Sequence, residues 1–259
     1  MHHARYVIIG AGFAGAATAY HLAMAGEKDI LILEREPIAG THSSGRNAAM
    51  VRQIVPDHAI SGLARASAAF IRKWAREPHQ YRMNGSLLLY KDAPPALLQS
   101  MEEARQAGVK CGVLRYAEAV ERVNSLHGAD FNEAIYCATD GVVDAAALLT
   151  FYLSEAQARG AKLITRKTVT GFKIENEQIV GVQLGDELVR CETVINAAGP
   201  WAGEIGRLAQ AGEMPMRVTR RHLFATPPIS WVDVNGPFVW DVTHEVYFRP
   251  ETTSLLTRT

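Results

Sequence analysis

Three glycines near the start of the chain have the spacing of a phosphate-binding turn. Residues 6–15 read Tyr-Val-Ile-Ile-Gly-Ala-Gly-Phe-Ala-Gly, so Gly10, Gly12 and Gly15 form a Gly-x-Gly-x-x-Gly motif. The first glycine of such a motif permits a tight turn, the second lets the backbone approach a pyrophosphate, and the third lets a helix pack closely on a strand. The N–H groups and positive dipole end of the following helix suit the same anion. The motif therefore predicts a dinucleotide site.

An acidic residue follows at the distance expected for a group that binds a ribose. Glu34 follows the apolar run at 30–33 and lies 19 residues after Gly15, since 34 minus 15 is 19. A carboxylate near this spacing bonds the ribose hydroxyls, and its charge disfavours a 2′-phosphate. We therefore expect a dinucleotide other than NADP. The alternative is a strand–helix–strand unit whose glycines serve packing alone.

The sequence pattern predicts the elements that must hold these residues. The β-branched run before Gly10 predicts a buried parallel strand. The Ala- and Leu-rich stretch at 14–25 predicts a helix, and the apolar stretch at 29–34 predicts a second strand. Further helices are expected at 57–76, 94–107, 117–123 and 144–159, and strands at 86–90, 133–139 and 162–165. Alternation at 168–174, 179–184 and 187–190 predicts a three-stranded antiparallel meander. A buried strand at 193–196, a helix at 201–211 and strands at 216–226 and 238–250 complete the pattern.

This order predicts an α/β fold with two discontinuous domains. We expect a Rossmann-like dinucleotide-binding domain, with a βαβ unit and an antiparallel meander, at residues 1–80 and 140–212. A mixed α+β domain is expected at 81–139 and 213–259. The chain is long enough for both, because its 259 residues are 48% hydrophobic.

Composition excludes several classes of partner. The 27 basic residues balance the 27 acidic ones, which gives no electrostatic reason to expect nucleic acid or an anionic membrane. The histidines form no HxxxH or HExxH pattern, and Cys111, Cys137 and Cys191 form no CxxC pair. We therefore expect that the protein binds no metal and that its thiols are reduced. No apolar run is long enough to span a bilayer. These features predict a soluble, cytoplasmic protein.

Four segments taken together resemble the FAD-dependent D-amino-acid oxidase and dehydrogenase superfamily, which includes glycine and sarcosine oxidases. They are residues 7–15, Leu-Glu-Arg at 33–35, Thr-His-Ser-Ser-Gly-Arg-Asn-Ala-Ala-Met at 41–50, and Val-Ile-Asn-Ala-Ala-Gly-Pro-Trp at 194–201. The likeness extends to D-arginine dehydrogenases through Arg220-Arg221 and Val-Tyr-Phe-Arg-Pro at 246–250. It implies that the two domains bind FAD and substrate, respectively.

The resemblance also implies which residues bind FAD. They are Gly10, Gly12, Ala14 and Gly15 at the pyrophosphate; Glu34 and Arg35 at the adenosine; Ser43, Ser44, Gly45, Arg46, Asn47, Ala48, Ala49 and Met50 in a loop running to the isoalloxazine; Val169, whose backbone binds adenine; and Ala197 and Gly199 near the pyrophosphate. An ordinary helix-capping loop is the alternative for 43–45, and close packing for 197–199. His42 is expected to be solvent-exposed, with the flavin bound non-covalently.

For activity, the resemblance implies oxidation of the C–N bond of an amino acid or secondary amine by hydride transfer to flavin N5. Arg221 is expected to bind the substrate carboxylate through two N–H groups, and Tyr247 is expected to close over the substrate. The alternatives are that Arg221 is a surface arginine and that Tyr247 is a core tyrosine. Arg220 is a second candidate for the arginine. Oxygen or a quinone would accept the electrons, and a quinone-linked enzyme would lie peripherally on the inner membrane.

The chain departs from the family pattern in two places. D-arginine dehydrogenases carry an acidic residue where this chain has Gly-Ser-Leu at 85–87, so a neutral or small amino acid is the expected substrate. Family members also continue beyond Glu251 with a long C-terminal stretch, so we expect a C-terminally truncated chain or one completed by a partner chain. The alternatives are a non-catalytic FAD- or ADP-binding chain and a 2-hydroxy-acid-oxidising flavoprotein of the same fold.

Overall fold

A computed structural model describes residues 3–212, 215–230, 232–251 and 254–258 of the chain. The helices are α1 (Phe13–Met24), α2 (His58–Trp74), α3 (Pro95–Gln106), α4 (Tyr116–Arg122), α5 (Ala145–Ala158) and α6 (Ala202–Leu208). The strands are β1 (His3–Ile9), β2 (Ile30–Leu33), β3 (Met50–Val51), β4 (Tyr81–Arg82), β5 (Ser86–Tyr90), β6 (Cys111–Arg115), β7 (Glu133–Cys137), β8 (Gly141–Val143), β9 (Lys162–Ile164), β10 (Gly171–Glu175), β11 (Gln178–Leu184), β12 (Glu187–Asn196), β13 (Phe224–Ala225), β14 (Phe238–Asp241), β15 (Val246–Glu251) and β16 (Ser254–Arg258). Within these residues, no helix is both long and apolar enough to cross a bilayer.

The chain divides into two compact units, each built from separate stretches of sequence. The first unit comprises Met1–Asn47 and Ala145–Thr219, and the second Ala48–Asp144 and Arg220–Thr259. These boundaries differ from the expected ones at 80, 140 and 212. Residues 48–80 lie in the second unit because β3 pairs with β8, which also pairs with β4. The expected second domain at 213–259 includes a few positions outside the described residues.

The sheet of the first unit confirms the Rossmann-like βαβ arrangement and the meander. Its described strands follow the order β10-β11-β12-β1-β2-β9. Strand β1 lies between β12 and β2 and runs parallel to both, which explains why it and β2 read as apolar runs without alternation. On one face, Ala16 and Ala19 of α1 pack with Leu149 and Leu153 of α5. The small side chains of α1 allow the two helices to approach closely.

One strand of the meander is longer than the sequence suggests. The two strands expected at 187–190 and 193–196 are a single strand, β12. Its first half pairs antiparallel with β11, for example Val189 with Val182. Its second half pairs parallel with β1, as Val194 does with Val7. Because β12 changes partner along its length, the residues between the two predicted strands remain in the sheet.

The second unit holds a mixed sheet and a small one. Its described strands follow the orders β13-β16-β15-β14-β5-β7-β6 and β3-β8-β4. The run Leu-Leu-Leu-Tyr of β5 is buried on both faces: Leu87 and Leu89 pack in one apolar cluster, and Leu88 and Tyr90 in another. Both faces of this strand are covered, so its sequence shows no polar alternation.

Two predictions for the second half of the chain were wrong in detail, and strand β6 of the first half was not predicted. The strand expected at 216–226 is only the short β13, because residues 217–222 are all exposed and have no buried face. The segment 238–250 is a hairpin of β14 and β15, whose turn includes Glu245 at a positive φ of 57°. Strand β6 was not predicted, since only its pairing with β7 identifies it.

Candidate functional site

A cavity in the first unit lies where β1, β2 and β12 end. Ile9 and Gly10, Leu33 and Glu34, and Ala197 line it from the carboxyl ends of these strands. Ligands of open parallel sheets bind at this edge. Among the residues expected to bind a dinucleotide, those that line the cavity are Gly10, Gly12, Ala14, Glu34, Arg35, Ser43, Ser44, Val169, Ala197 and Gly199.

The glycine turn lines this cavity through Gly10 and Gly12. Gly10 has φ of +106°, and a Cβ there would lie 2.5 Å from the carbonyl oxygen of Ala197. A Cβ on Gly15 would lie 1.9 Å from the carbonyl oxygen of Gly10. Two of the three glycines are therefore required by backbone packing, and Gly15 is buried without lining the cavity. Gly12 faces Ser44, whose Oγ would lie 2.9 Å from its Cβ.

Glu34 is held by the backbone at the end of β2. Its Oε2 accepts a hydrogen bond from Ala11 N–H and its Oε1 from Glu36 N–H, both at 2.9 Å. The residue is only 9% exposed. A carboxylate oxygen has more than one lone pair, so both oxygens keep capacity to accept from a pair of ribose hydroxyls. The geometry is consistent with the expected role of Glu34.

The loop at 43–47 folds against the start of α1. Ser44 Oγ accepts from Phe13 N–H at 2.9 Å, and Asn47 Nδ2 donates to the carbonyl oxygens of Ser43 and Ser44. A helix N-terminus offers N–H groups that need such acceptors. Gly45, Arg46 and Asn47 are exposed and do not line the cavity.

An aromatic and cationic cluster forms one wall of the cavity. The guanidinium of Arg35 lies 3.6 Å from the ring centroid of Trp201, a cation–π contact. The His42 ring lies 4.7 Å from the same indole, and His42 Nε2 is 2.9 Å from Glu36 Oε1. His42 is thus partly exposed, and it has contacts with Trp201 and Glu36 that the expectation of a solvent-exposed histidine did not include. Trp201 ends the motif at 194–201, but nothing in its spacing indicated the contact with Arg35.

We expect the substitution His42→Ala to raise the pKa of Glu36 toward its ordinary value. The hydrogen bond from His42 lowers that pKa, and the charge of Arg35 adds to the effect. A lowered carboxyl pKa stabilises the folded state above the unfolded pKa, and this stability is lost as the pH falls through the folded pKa. Carboxyl-carbon NMR titration of Glu36 measures the change. Glu175, whose pKa is lowered by Lys173, is the control, and an unshifted Glu36 in the variant would contradict the assignment.

Val169 also lines the cavity and lies just before the meander. It is 7% exposed and packs in the same apolar cluster as Ile9, Leu33 and Ile205. The sequence placed it on the first strand of the meander, but β10 begins only at Gly171. Its place at the cavity follows instead from the segment that leads into β10.

The remaining predicted residues belong to the second unit. Ala48 is buried, and the carbonyl oxygen of Ala49 accepts from Val143 N–H at 2.9 Å. Met50 begins β3 and pairs with Val142. Ala49 has a positive φ of 55°, which an L-residue adopts only when its surroundings fix it. A role of these three residues at a flavin stays a prediction.

The two residues expected to act on substrate lie in different surroundings. Tyr247 is 7% exposed and sits 4.9 Å from the ring of Trp240. Burial raises the pKa of Tyr247, while the charges of Arg221 and Arg249 lower it. Arg221 is exposed and lies before β13, outside any strand.

Sequence reasoning missed a buried arginine beside Tyr247. Arg249 is 6% exposed; its Nη1 donates to the carbonyl oxygen of Pro250 at 3.1 Å and pairs with Glu251. Within the described residues its buried Nε has no hydrogen-bond partner. Burial lowers the pKa of Arg249, and Glu251 opposes this. Its position two residues after Tyr247, on the same strand face, was the available signal.

The only buried carboxylate network that we find among the described residues of the second unit centres on Asp140. Asp140 accepts from Gln53 N–H at 3.1 Å, Gln53 Nε2 at 2.9 Å and Ser86 Oγ at 2.7 Å. Asp140 therefore contacts the segment Gly-Ser-Leu at 85–87, where D-arginine dehydrogenases carry an acidic residue and this chain does not. Because Asp140 is fully buried and already bonded to these groups, it links Gln53, two residues after β3, to Ser86 of β5 and is not placed to bind a cationic substrate.

Comparison with known proteins agrees with this fold. The chain is 28% identical over 257 residues to mitochondrial sarcosine dehydrogenase of Homo sapiens, which covers 95% of this chain and 28% of that protein. It is 26% identical to mitochondrial dimethylglycine dehydrogenase of Homo sapiens, over 98% of this chain and 30% of that protein. The chain thus spans less than a third of the length of these curated relatives.

Solved structures match over nearly the whole chain. L-proline dehydrogenase from P. horikoshii superposes with a TM-score of 0.85 at 25% identity, covering 99% of this chain and 69% of that one. Glycine oxidase from Geobacillus kaustophilus gives a TM-score of 0.78 at 21% identity, over 100% and 72% respectively, and supports the fold alone. The family model described as FAD dependent oxidoreductase (DAO) matches residues 5–258. The chain belongs to this family of FAD-dependent oxidoreductases.

Proposed function

We propose that this chain binds FAD through its first unit and takes part in oxidising the C–N bond of an amino acid or secondary amine. The observation that carries the proposal is the cavity at the ends of β1, β2 and β12, where the glycine turn, Glu34 and Val169 meet. Family membership supplies the cofactor.

The residues of this cavity fit the adenosine half of FAD. Glu34 would hold the ribose, since both carboxylate oxygens are fixed by backbone N–H groups and keep accepting capacity. Arg35 and Val169, which both line the cavity, would flank the adenine. The absence of a side chain at Gly12, together with the start of α1, would leave room and N–H groups for the pyrophosphate.

The loop at 43–50 would lead from the pyrophosphate toward the isoalloxazine. Its first half is anchored on α1 through Ser44, and its second half, Ala48 to Met50, is anchored on β8 through backbone contacts. When bound, FAD supplies the electron acceptor for hydride removal from the substrate carbon.

The second unit would orient the substrate. Arg221 is proposed to bind the substrate carboxylate through paired N–H groups, and Tyr247 to bond the same carboxylate. Arg249 adds a buried guanidinium near Tyr247, and its charge is already paired with Glu251. An amine nitrogen kept neutral leaves its lone pair available to assist the departure of the hydride.

The named activities of the relatives suggest an N-alkylated amino acid as substrate. Sarcosine, dimethylglycine and proline are the compounds in the names of three similar proteins, and each combines a carboxylate with a substituted amine. The lack of an available acid at 85–87 agrees with a substrate that has no cationic side chain. Oxygen or a quinone is the proposed electron acceptor, and a partner chain is proposed to complete the enzyme if this chain alone does not turn over.

Anaerobic reduction of the bound flavin tests this proposal. The 259-residue chain is reconstituted with FAD and mixed with sarcosine, dimethylglycine, L-proline, glycine or lactate. We expect loss of flavin absorbance with at least one of the amino acids and none with lactate. Bleaching by lactate alone would favour a 2-hydroxy-acid oxidoreductase, and flavin that no compound bleaches would favour a chain that binds FAD without catalysis.

Arg221→Ala and Arg220→Ala form a matched pair for the carboxylate contact. We expect the first to raise the substrate concentration for half-maximal flavin reduction by roughly 10- to 100-fold, because a hydrogen bond to a charged group is worth about 1.5–3 kcal/mol. The neighbouring Arg220 variant should stay within about threefold of the parent. The reverse order of effects would transfer the role to Arg220.

A further inference from the structure

Two cysteines that are distant in sequence face each other across neighbouring strands. Cys111 on β6 lies opposite Cys137 on β7 in antiparallel register, and both are free thiols. Ala138 N–H donates to the carbonyl oxygen of Lys110 at 2.9 Å. The neighbouring pair, Lys110 and Ala138, is therefore a hydrogen-bonded pair. Because the two pair types alternate along an antiparallel ladder, Cys111 and Cys137 form a non-hydrogen-bonded pair.

This position satisfies the backbone requirement for a disulfide. Residues in a non-hydrogen-bonded pair have Cα atoms about 4.5 Å apart and side chains on the same face. Disulfides span Cα separations of about 4.4–6.8 Å. Both cysteines also contact the same apolar cluster, so the two side chains share one side of the sheet.

We propose that Cys111 and Cys137 form a reversible cross-strand disulfide when the protein is exposed to hydrogen peroxide. The Cys111 thiolate attacks one peroxide oxygen, the O–O bond breaks, and the departing hydroxide takes a proton to become water. The Cys137 thiolate then attacks the sulfur of the resulting sulfenic acid, and the S–O bond breaks to release a second water. Two thiols lose two electrons in total, and one peroxide gains them.

Exposure sets the order of the two steps. Cys111 is partly exposed, whereas Cys137 is fully buried. Cys137 Sγ lies 3.7 Å from Gln53 Nε2 and from Thr139 Oγ1, and Cys111 Sγ lies 3.7 Å from the carbonyl oxygen of Met101. Each sulfur must turn away from these weak contacts to meet the other. Peroxide therefore reaches Cys111 first, and Cys137 resolves the sulfenic acid.

Burial also makes the reaction slow and pH-dependent. It raises the pKa of the Cys111 thiol, and it raises the pKa of Cys137 to about 12. The charge of Arg105 opposes this effect and lowers the pKa of Cys111, whereas the charges of Asp140 and Glu102 add to it. Since the thiolate is the nucleophile, the rate of disulfide formation should rise about tenfold per pH unit from pH 7 to 8.

Peptide mapping of the full chain tests the proposal. The protein is treated with hydrogen peroxide at pH 8, its remaining thiols are capped with N-ethylmaleimide, and it is digested with trypsin without reductant. Cys111, Cys137 and Cys191 then lie on separate peptides, 111–115, 123–159 and 191–207. We expect the first two to appear as one cross-linked species that dithiothreitol separates, with Cys191 capped. The oxidised chain should also melt at a higher temperature, because the cross-link restricts the unfolded chain.

Two variants sharpen the result. Cys191→Ser should form the cross-link as the parent does, whereas Cys137→Ser should leave a Cys111 sulfenic acid that dimedone traps. The proposal is overturned if Cys111 and Cys137 are both recovered capped, if Cys111 is over-oxidised without any cross-link, or if Cys191 enters the cross-link equally. Should Cys137→Ser fail to fold, the peptide map of the parent chain decides the matter alone.

Discussion

The substitution Gly15→Ala is expected to lower the free energy of unfolding by about 3 kcal/mol and to abolish measurable FAD uptake. The added Cβ would stand 1.9 Å from the carbonyl oxygen of Gly10 and 3.2 Å from a side-chain carbon of Ile8. Backbone cannot yield as a flexible side chain can, so α1 must move away from β1. That movement displaces the helix N-terminus from the turn at which the pyrophosphate is proposed to bind.

A glycine in another helix provides the matched control. Gly62 lies in α2, is exposed, and has no atom within 4 Å of its would-be Cβ. Gly62→Ala should raise the free energy of unfolding by about 0.5–1 kcal/mol, because alanine restricts the unfolded chain and favours helix. Urea titration followed by circular dichroism measures both variants. A Gly15→Ala chain as stable as the Gly62→Ala chain would contradict the close approach of α1 and β1.

The substitution Glu34→Ala is expected to weaken FAD binding by on the order of 100-fold. It removes the proposed ribose contact and leaves the buried N–H group of Ala11 and the partly buried N–H group of Glu36 without the acceptor they have in the parent. Unpaired buried donors cost free energy in addition to the lost ligand bonds. Binding of ADP should weaken by a similar factor, since ADP carries the same ribose.

An exposed glutamate controls for the loss of one negative charge. Glu192 lies on β12, where it pairs with Arg5 and its side chain is 62% exposed, and surface pairs of this kind contribute little. Glu192→Ala should therefore bind FAD and ADP as the parent does. Equal affinities for the parent and Glu34→Ala would place the ribose away from Glu34.

Local sequence signals predicted the elements around the cavity of the first unit well. The strand, turn, helix, strand and acid occur within the first 34 residues, and each can be recognised from a short stretch of sequence. Gly10 marks a turn that needs a positive φ, the apolar run of β2 marks a buried strand, and Glu34 marks the end of that strand. The same locality explains why helices α1, α2, α3 and α5 were found within a few residues of their observed ends.

Contacts between distant segments were beyond sequence reasoning. Arg35 meets Trp201, and Cys111 meets Cys137, only because the sheets bring their strands or loops together. Strand β12 changes partner halfway, so its continuity depends on β1 as well as on β11. For Arg249 the sequence offered only its spacing from Tyr247, and its burial depends on the strands packed around β15.

Competition binding tests the central claim, that the first unit holds the adenosine half of FAD. The 259-residue chain is titrated with FAD by calorimetry in the presence of excess ADP or excess FMN. We predict that ADP displaces FAD and that FMN, which lacks adenosine, does not. Displacement by FMN with none by ADP, or no binding of FAD at all, would contradict the account.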